Sequence, residues 1–237
     1  MLKKTNKKGF TLLELLIVIA VIAILSVVIV FVLNPAETLK KSRDSQRIAD
    51  LNTLKTALGI YLTTVSSVDL GPICFGTTVI TAKISYSKGQ AAPPVCNGAS
   101  PALGTDVTAG STFKNADWCT AATVVNTPLV SGSGWVPVNL TSIPGGSPIS
   151  NLPLDPINTV ATATAPTNTD LVYRYVCQEI AVSPAPSSVF EVDAILESAA
   201  FGPGSTTDDK SASDGGDNTA YYEVGTNLRL IGTGTNF

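Results

Sequence analysis

The sequence contains no histidine. That absence removes the Ser-His-Asp and Cys-His triads, the HExxH zinc site and the imidazole on which most general acid–base catalysis rests. The GxSxG, Walker and GxGxxG motifs are missing too, and with them the usual nucleophile elbow and phosphate loops. Carboxylate pairs or a Ser-Lys dyad remain open to such a chain, but no motif marks one, and the sequence reads as that of a non-enzyme. Charge is scarce at 14% of residues and unevenly spread. Residues 1–65 hold nine Lys and Arg against four acids, whereas the remainder holds six against fourteen. Nothing after Lys55 forms the basic stripe that neutralises phosphates, so no nucleic-acid binding is expected from the acidic C-terminal bulk. Metal-type CxxC spacing is also absent. Cys74, Cys96, Cys119 and Cys177 are even in number, which suits a disulfide framework in an oxidising compartment.

What the chain does have is a long apolar run. From Phe10 to Leu33, only Thr11, Glu14 and Ser26 are not apolar among 24 residues. At ~1.5 Å per residue a helix of that length spans roughly 36 Å, enough for a bilayer core of about 30 Å. Ile and Val favour strand in water, but the run has no polar alternation, and in lipid the backbone must satisfy itself, so helix is expected. A cleavable signal peptide would have an apolar core of about 7–15 residues ending in small residues. This run is longer, and the following VLNPAETLKK offers no such site. Lys3, Lys4, Lys7 and Lys8 before the span are balanced by Lys40, Lys41, Arg43 and Arg47 after it, so charge orients it weakly. The cysteines decide: they place the C-terminal part outside and the lysine-rich end in the cytoplasm.

A lysine-rich leader ending in Gly9, then Phe10-Thr11-Leu12-Leu13-Glu14 and an unbroken apolar helix, resembles the start of bacterial type IV prepilins and type II secretion pseudopilins. The resemblance implies cleavage after Gly9 by a membrane aspartyl peptidase, methylation of the new amino terminus at Phe10, and a role for Glu14 in subunit assembly. The physics agrees. A charge at mid-membrane costs on the order of 2.5–3.5 kcal/mol and less near the edge, and intramembrane acids are usually paired. Cleavage would leave Phe10 with an ammonium at apolar depth that also needs a partner. In a stack of such helices, Glu14 of one subunit can meet the Phe10 amine of the next, which fixes register more than it adds stability. The alternative for Glu14 is a snorkelling acid at the edge of an ordinary anchor.

Beyond Leu33, Asn34, Pro35 and Glu37 make a helix start of cap, first-turn proline and acid. Ile48, Leu51, Leu54, Leu58, Tyr61, Leu62 and Val65 recur at spacings of three and four, the mark of an amphipathic helix. Lys41, Arg47, Asp50 and Lys55 are assigned to its polar face. One long helix is expected from about Thr11 to Val65, broken or kinked at Asn34-Pro35; the helix-breaking proline of the resembled family falls nearer the N-terminus, where this chain has Phe31. Strand-like runs follow at 77–86, 134–140, 171–179, 189–197 and 220–230, separated by Gly/Pro clusters. The expected fold is α+β: a long N-terminal helix, transmembrane in its first half, packed in its second half on an antiparallel sheet, in the manner of a type IV pilin. The domain reading is a leader (1–9), a transmembrane and polymerisation helix (10–33), the amphipathic half (34–65) and a β-rich extracellular head (66–237). PLDP at 153–156, followed by YRY, resembles an Asp-Pro turn and strand of pseudopilin heads.

Four cysteines allow three pairings, and neighbour pairing, Cys74–Cys96 with Cys119–Cys177, is the first choice, with free thiols as the alternative. Asp214 and Asp217 lie in TTDDKSASDGGDN, where flexible oxygen ligands suit calcium, which pseudopilin heads of the resembled family can bind. The spacing departs from the EF-hand, and a solvated loop is the preferred reading. Trp118 and Trp135 are assigned to core packing. The resemblance implies a structural role without cofactor: a precursor held in the cytoplasmic membrane, then a subunit of an extracellular or periplasmic filament. The implied partners are copies of itself, the prepilin peptidase, and an assembly ATPase with its membrane platform. Two other readings stay open: a pseudopilin of a secretion or DNA-uptake machine, and a membrane-tethered binding domain that does not polymerise.

Overall fold

The computed structural model describes residues 9–71, 74, 83–88, 117–118, 128–159, 169–180 and 187–231. The chain divides into two units, residues 1–40 and 41–237, taken here in turn.

In the first unit, α1 runs over Leu12–Leu33. It ends where the sequence requires. The residue before a proline is sterically disfavoured in the helical region, and Asn34 adopts the left-handed conformation with φ 36°, which Asn tolerates better than most residues. Pro35 then opens α2, Pro35–Thr64, with its missing N–H at a position that would lack an intrahelical partner anyway. The Asn34 side chain accepts the Glu37 N–H at 3.4 Å, so one residue closes one helix and caps the next. The expected break therefore stands at Asn34.

In the second unit, a sheet has the order β2-β1-β3-β4-β5. The strands are β1 Lys83–Tyr86, β2 Asp117–Trp118, β3 Arg174–Ile180, β4 Ser187–Ala194 and β5 Tyr222–Gly225. Strands β1, β3, β4 and β5 form the expected antiparallel set, and the short β2 adds to the free edge of β1 in parallel. Alternation along each strand sorts the side chains. Tyr175 and Cys177 of β3, Phe190 and Val192 of β4, and Val224 of β5 share one core with Leu51, Leu54, Leu58 and Tyr61 of α2. The result is the α+β, pilin-like architecture expected from the sequence.

The run 134–140 is not a strand. Gly134 and Pro137 interrupt it, and a proline has no N–H to give a ladder. It forms bends leading into a short 3₁₀ turn at Leu140–Ser142, and its side chains become a plug: Trp135, Val136 and Val138 are wholly buried. The Trp135 indole N–H donates to the Pro153 carbonyl at 3.0 Å, and Ser85 Oγ donates to the Trp135 carbonyl. The core assignment of Trp135 holds; the side chain of Trp118 lies outside the described residues, as do residues 77–82 of the first expected strand.

Arg47 needs a larger correction, for it is not on the solvent face. It is fully buried. Its Nε and Nη2 donate to Asp155 at 2.6 and 3.0 Å, and Nη1 donates to Asp44 at 2.8 Å and to Glu197 at 2.6 Å. Burial opposes the Arg47 charge, but the bonds and charge of Asp155, then of Glu197, outweigh it, so the guanidinium stays ionised. Glu197 also takes a two-pronged grip from Arg43 at 3.0 and 2.9 Å. Asp44 accepts the N–H of Ser198 at 2.7 Å and of Glu197 at 2.9 Å. Asp155 accepts the N–H of Ile157 at 2.8 Å, ordering the Asp-Pro turn. One arginine thus ties α2 to the 153–158 turn and to the segment after β4.

Candidate functional site

The residues singled out at the N-terminus stand in the open. Phe10 is 83% exposed, and among the described residues nothing lies within 4 Å of where a Gly9 Cβ would be. Nothing in the local packing therefore requires glycine at position 9. A requirement for it would have to come from whatever reads the Gly9–Phe10 bond from outside.

Thr11 and Glu14 form a reciprocal cap at the start of α1. Thr11 Oγ1 accepts the Glu14 N–H at 3.2 Å, while the Thr11 N–H and Oγ1–H donate to Glu14 Oε2, each at 2.9 Å. This capping box satisfies donors that a helix start otherwise leaves unpaired. Its Thr-x-x-Glu signature is plain in the sequence, but neither the assembly contact nor the snorkelling acid expected of Glu14 includes this capping role. Both bonds reach Oε2, and Oε1 accepts none among the described residues. Glu14 is thus the helix's own cap and keeps one oxygen for a further donor.

Behind this cap, no described side chain of α1 is covered by another described residue. Every described side chain from Leu12 to Ile29 is exposed, and the segment is long and apolar enough to cross a membrane. Its polar interruptions are quiet: Ser26 Oγ donates back to the Ile22 carbonyl at 2.7 Å, a bond that hides the hydroxyl in an apolar setting. Residues 4–30, which include this whole arrangement, match the family described as the prokaryotic N-terminal methylation motif. The chain carries the hallmark of prepilins. No curated protein and no solved structure matches it. The prepilin motif and the exposed apolar helix together fit membrane anchoring.

The other candidate residues divide. Cys74 is bonded to Cys177, which overturns neighbour pairing; Cys96 and Cys119 lie outside the described residues. Spacing alone cannot choose among pairings. Here the choice follows from the turn after α2, which is fastened to β3: Tyr175 OH donates to the Leu70 carbonyl at 3.1 Å, and the Leu70 N–H donates to Glu179 at 2.5 Å. Gly71, at φ 110°, makes that turn possible, since a Cβ there would lie 2.5 Å from Pro137 Cγ. Asp214 accepts the Gly216 N–H and the Glu223 N–H, each at 2.8 Å and on different oxygens. It thereby orders its own loop. Among the described residues no group of three or more His, Cys, Asp or Glu is gathered to hold a metal.

Proposed function

We propose that this prepilin-motif chain is the precursor of a filament subunit, cleaved after Gly9, methylated at Phe10 and polymerised through α1. The observation carrying the reading is an apolar helix with no buried side chain directly behind the prepilin motif. Such a surface is stable in lipid or against copies of itself, not in water. Cleavage would free an amine at Phe10, one residue before the cap, and Glu14 Oε1 is available to receive the amine of the neighbouring subunit. The partners of this reading are the prepilin peptidase, an assembly ATPase with its membrane platform, and further copies of the chain. The head is structural, without catalysis or a required cofactor, and faces the periplasm or the exterior.

The decisive measurement is the N-terminal residue and mass of the mature protein, in membranes and in sheared fibres. Methylated Phe10 recovered from fibres is the expected result. Methylated Phe10 confined to membranes would favour a pseudopilin of a secretion or DNA-uptake machine, and a chain still starting at Met1 would reduce α1 to a tether. The Glu14→Leu chain should still be cleaved, because its Gly9–Phe10 bond is unchanged. Subunit addition should weaken by at least ~10²-fold, from the roughly 3–5 kcal/mol that an unpaired buried charge costs. Undiminished fibre formation by that variant would remove Glu14 from assembly.

A further inference from the structure

The face of the sheet turned away from α2 is polar and yet buried. The cross-strand register sets Arg174 of β3 opposite Asp193 of β4, and Asp193 opposite Glu223 of β5, with Glu191 two residues along on the same face. Arg174, Glu191, Asp193 and Glu223 are each at most 1% exposed. Arg174 is matched to Asp193 at 3.4 Å. Its guanidinium also lies 4.6 Å from the centre of the Tyr221 ring, and Nη2 donates to the Asp170 carbonyl at 3.4 Å. Among the described residues neither Glu191 nor Glu223 has a cation in salt-bridge range.

Each of these two glutamates uses one oxygen to hold backbone. Glu191 Oε2 accepts the N–H of Leu230 at 2.7 Å and of Ile231 at 3.1 Å. Glu223 Oε2 accepts the N–H of Asn218 at 3.1 Å. Among the described residues no backbone N–H, hydroxyl or cation reaches Glu191 Oε1 or Glu223 Oε1. The register, Glu191 opposite Gly225 and Asp193 opposite Glu223, makes the two glutamates diagonal neighbours on one face of the β4–β5 pair, within reach of each other's long side chains. Two buried carboxylates in contact cannot both remain ionised.

We infer that Glu191 and Glu223 share one proton through their Oε1 atoms, and that this acid pair is a pH-sensitive latch holding the 214–218 turn and the 230–231 segment on the sheet. With the proton in place, the pair is one carboxylic acid donating to one carboxylate, and both backbone grips are kept. Loss of the proton sets two negative charges side by side, with Asp193 on the same strand and Asp214 beside Glu223 adding to the repulsion, and Arg174 already committed to Asp193. Burial, first, and then the charge of its partner push the Glu191 carboxyl well above the ordinary range. Burial likewise raises Glu223 to about 8 and Asp193 to about 6, against the opposing pull of Arg174. All three are raised, so the stability they contribute is complete below the ordinary glutamate value and falls as pH rises through the folded values. The latch is shut in acid and opens in alkali.

Hydrogen exchange on the full chain in detergent micelles tests this, with the peptide covering 214–231 read against α2 residues 44–61. A carboxyl moved from 4.5 to about 8 predicts that opening of 214–231 rises on the order of 100-fold between pH 6 and pH 9, after correction for intrinsic exchange. Glu223→Gln supplies a permanent N–H to Glu191, and should flatten that dependence. Glu191→Gln is the matching variant should Glu223→Gln fail to fold. A wild-type opening that is independent of pH, an unchanged slope in the Gln variants, or a loss spread equally over 44–61 would each overturn the latch.

Discussion

Replacing Arg47 by methionine is expected to destabilise the head by about 3–5 kcal/mol, because removing one partner from a buried ionic cluster strands the others. For a head of this size that is roughly 6–20 °C in Tm. The mechanism is specific. Methionine occupies much of the arginine stem's space, so the loss is not one of volume. Asp155 and Asp44 are left at 4% and 0% exposure with their charge unmatched. Arg43 cannot take over, since its two bonds already go to Glu197. Burial pushes the Glu197 carboxyl up, but the bonds from Arg43 and then Arg47 pull it further down, so it lies below its ordinary value. A depressed carboxyl contributes stability above its unfolded value that disappears as pH falls. Wild-type stability should therefore drop on acidification below about 4.5, and the Arg47→Met chain should show a shallower drop. Thermal or urea unfolding from pH 3 to 7 reads both effects. A loss under about 1 kcal/mol would mean that water reaches the cluster.

Reduction of Cys74–Cys177, or its replacement by a pair of alanines, should cost about 4–5 kcal/mol. The bridge closes a loop with a sequence separation of 103, and loops of about 100 residues lose that much chain entropy when cross-linked. Both sulfurs are buried, at 5% and 0% exposure for their residues, so dithiothreitol should act on the opened head rather than on the native one. The expected result is a reduction rate that rises with urea in step with unfolding. Rapid reduction without loss of structure would show that the bridge is accessible and that Asp69–Gly71 after α2 are held by their hydrogen bonds alone.

How much of this was legible can be read from particular residues. Asn34-Pro35 stated its own break, because the conflict between proline and the preceding helical residue is local. Strand β5 lies inside its expected run, while β3 ends one residue beyond its run and β4 begins two residues before its own. The burial of Glu191, Asp193 and Glu223 was not legible: a polar residue alternating with apolar ones has the pattern of a half-exposed strand, and in this sheet these residues are buried. Arg47 misled in the same way. The amphipathic pattern sends charges to solvent unless partners are known, and its partners lie at sequence separations of 108 and 150. Only Asp44, three residues before it, was a local hint. In 134–140, the apolar content promised a strand, while Gly134 and Pro137 were the truer signal. At the N-terminus, the motif was legible and its Thr11 half was overlooked.

The same separations bear on how the head is made. During synthesis Arg47 emerges just after Asp44, but Asp155 follows 108 residues later and Glu197 150 residues later, while Cys177 trails Cys74 by 103. Contacts this distant must close large loops before they return any stabilisation, which makes for slow folding. α2 therefore waits, with Leu51, Leu54, Leu58 and Tyr61 uncovered, until nearly the whole chain has appeared. Through that interval α1 can enter the bilayer on its own, since it needs nothing from the rest of the protein to satisfy its backbone. On the proposed reading anchoring would come first and the head be completed last, so the nascent chain would be held at the membrane during the period when its exposed core is most prone to aggregate.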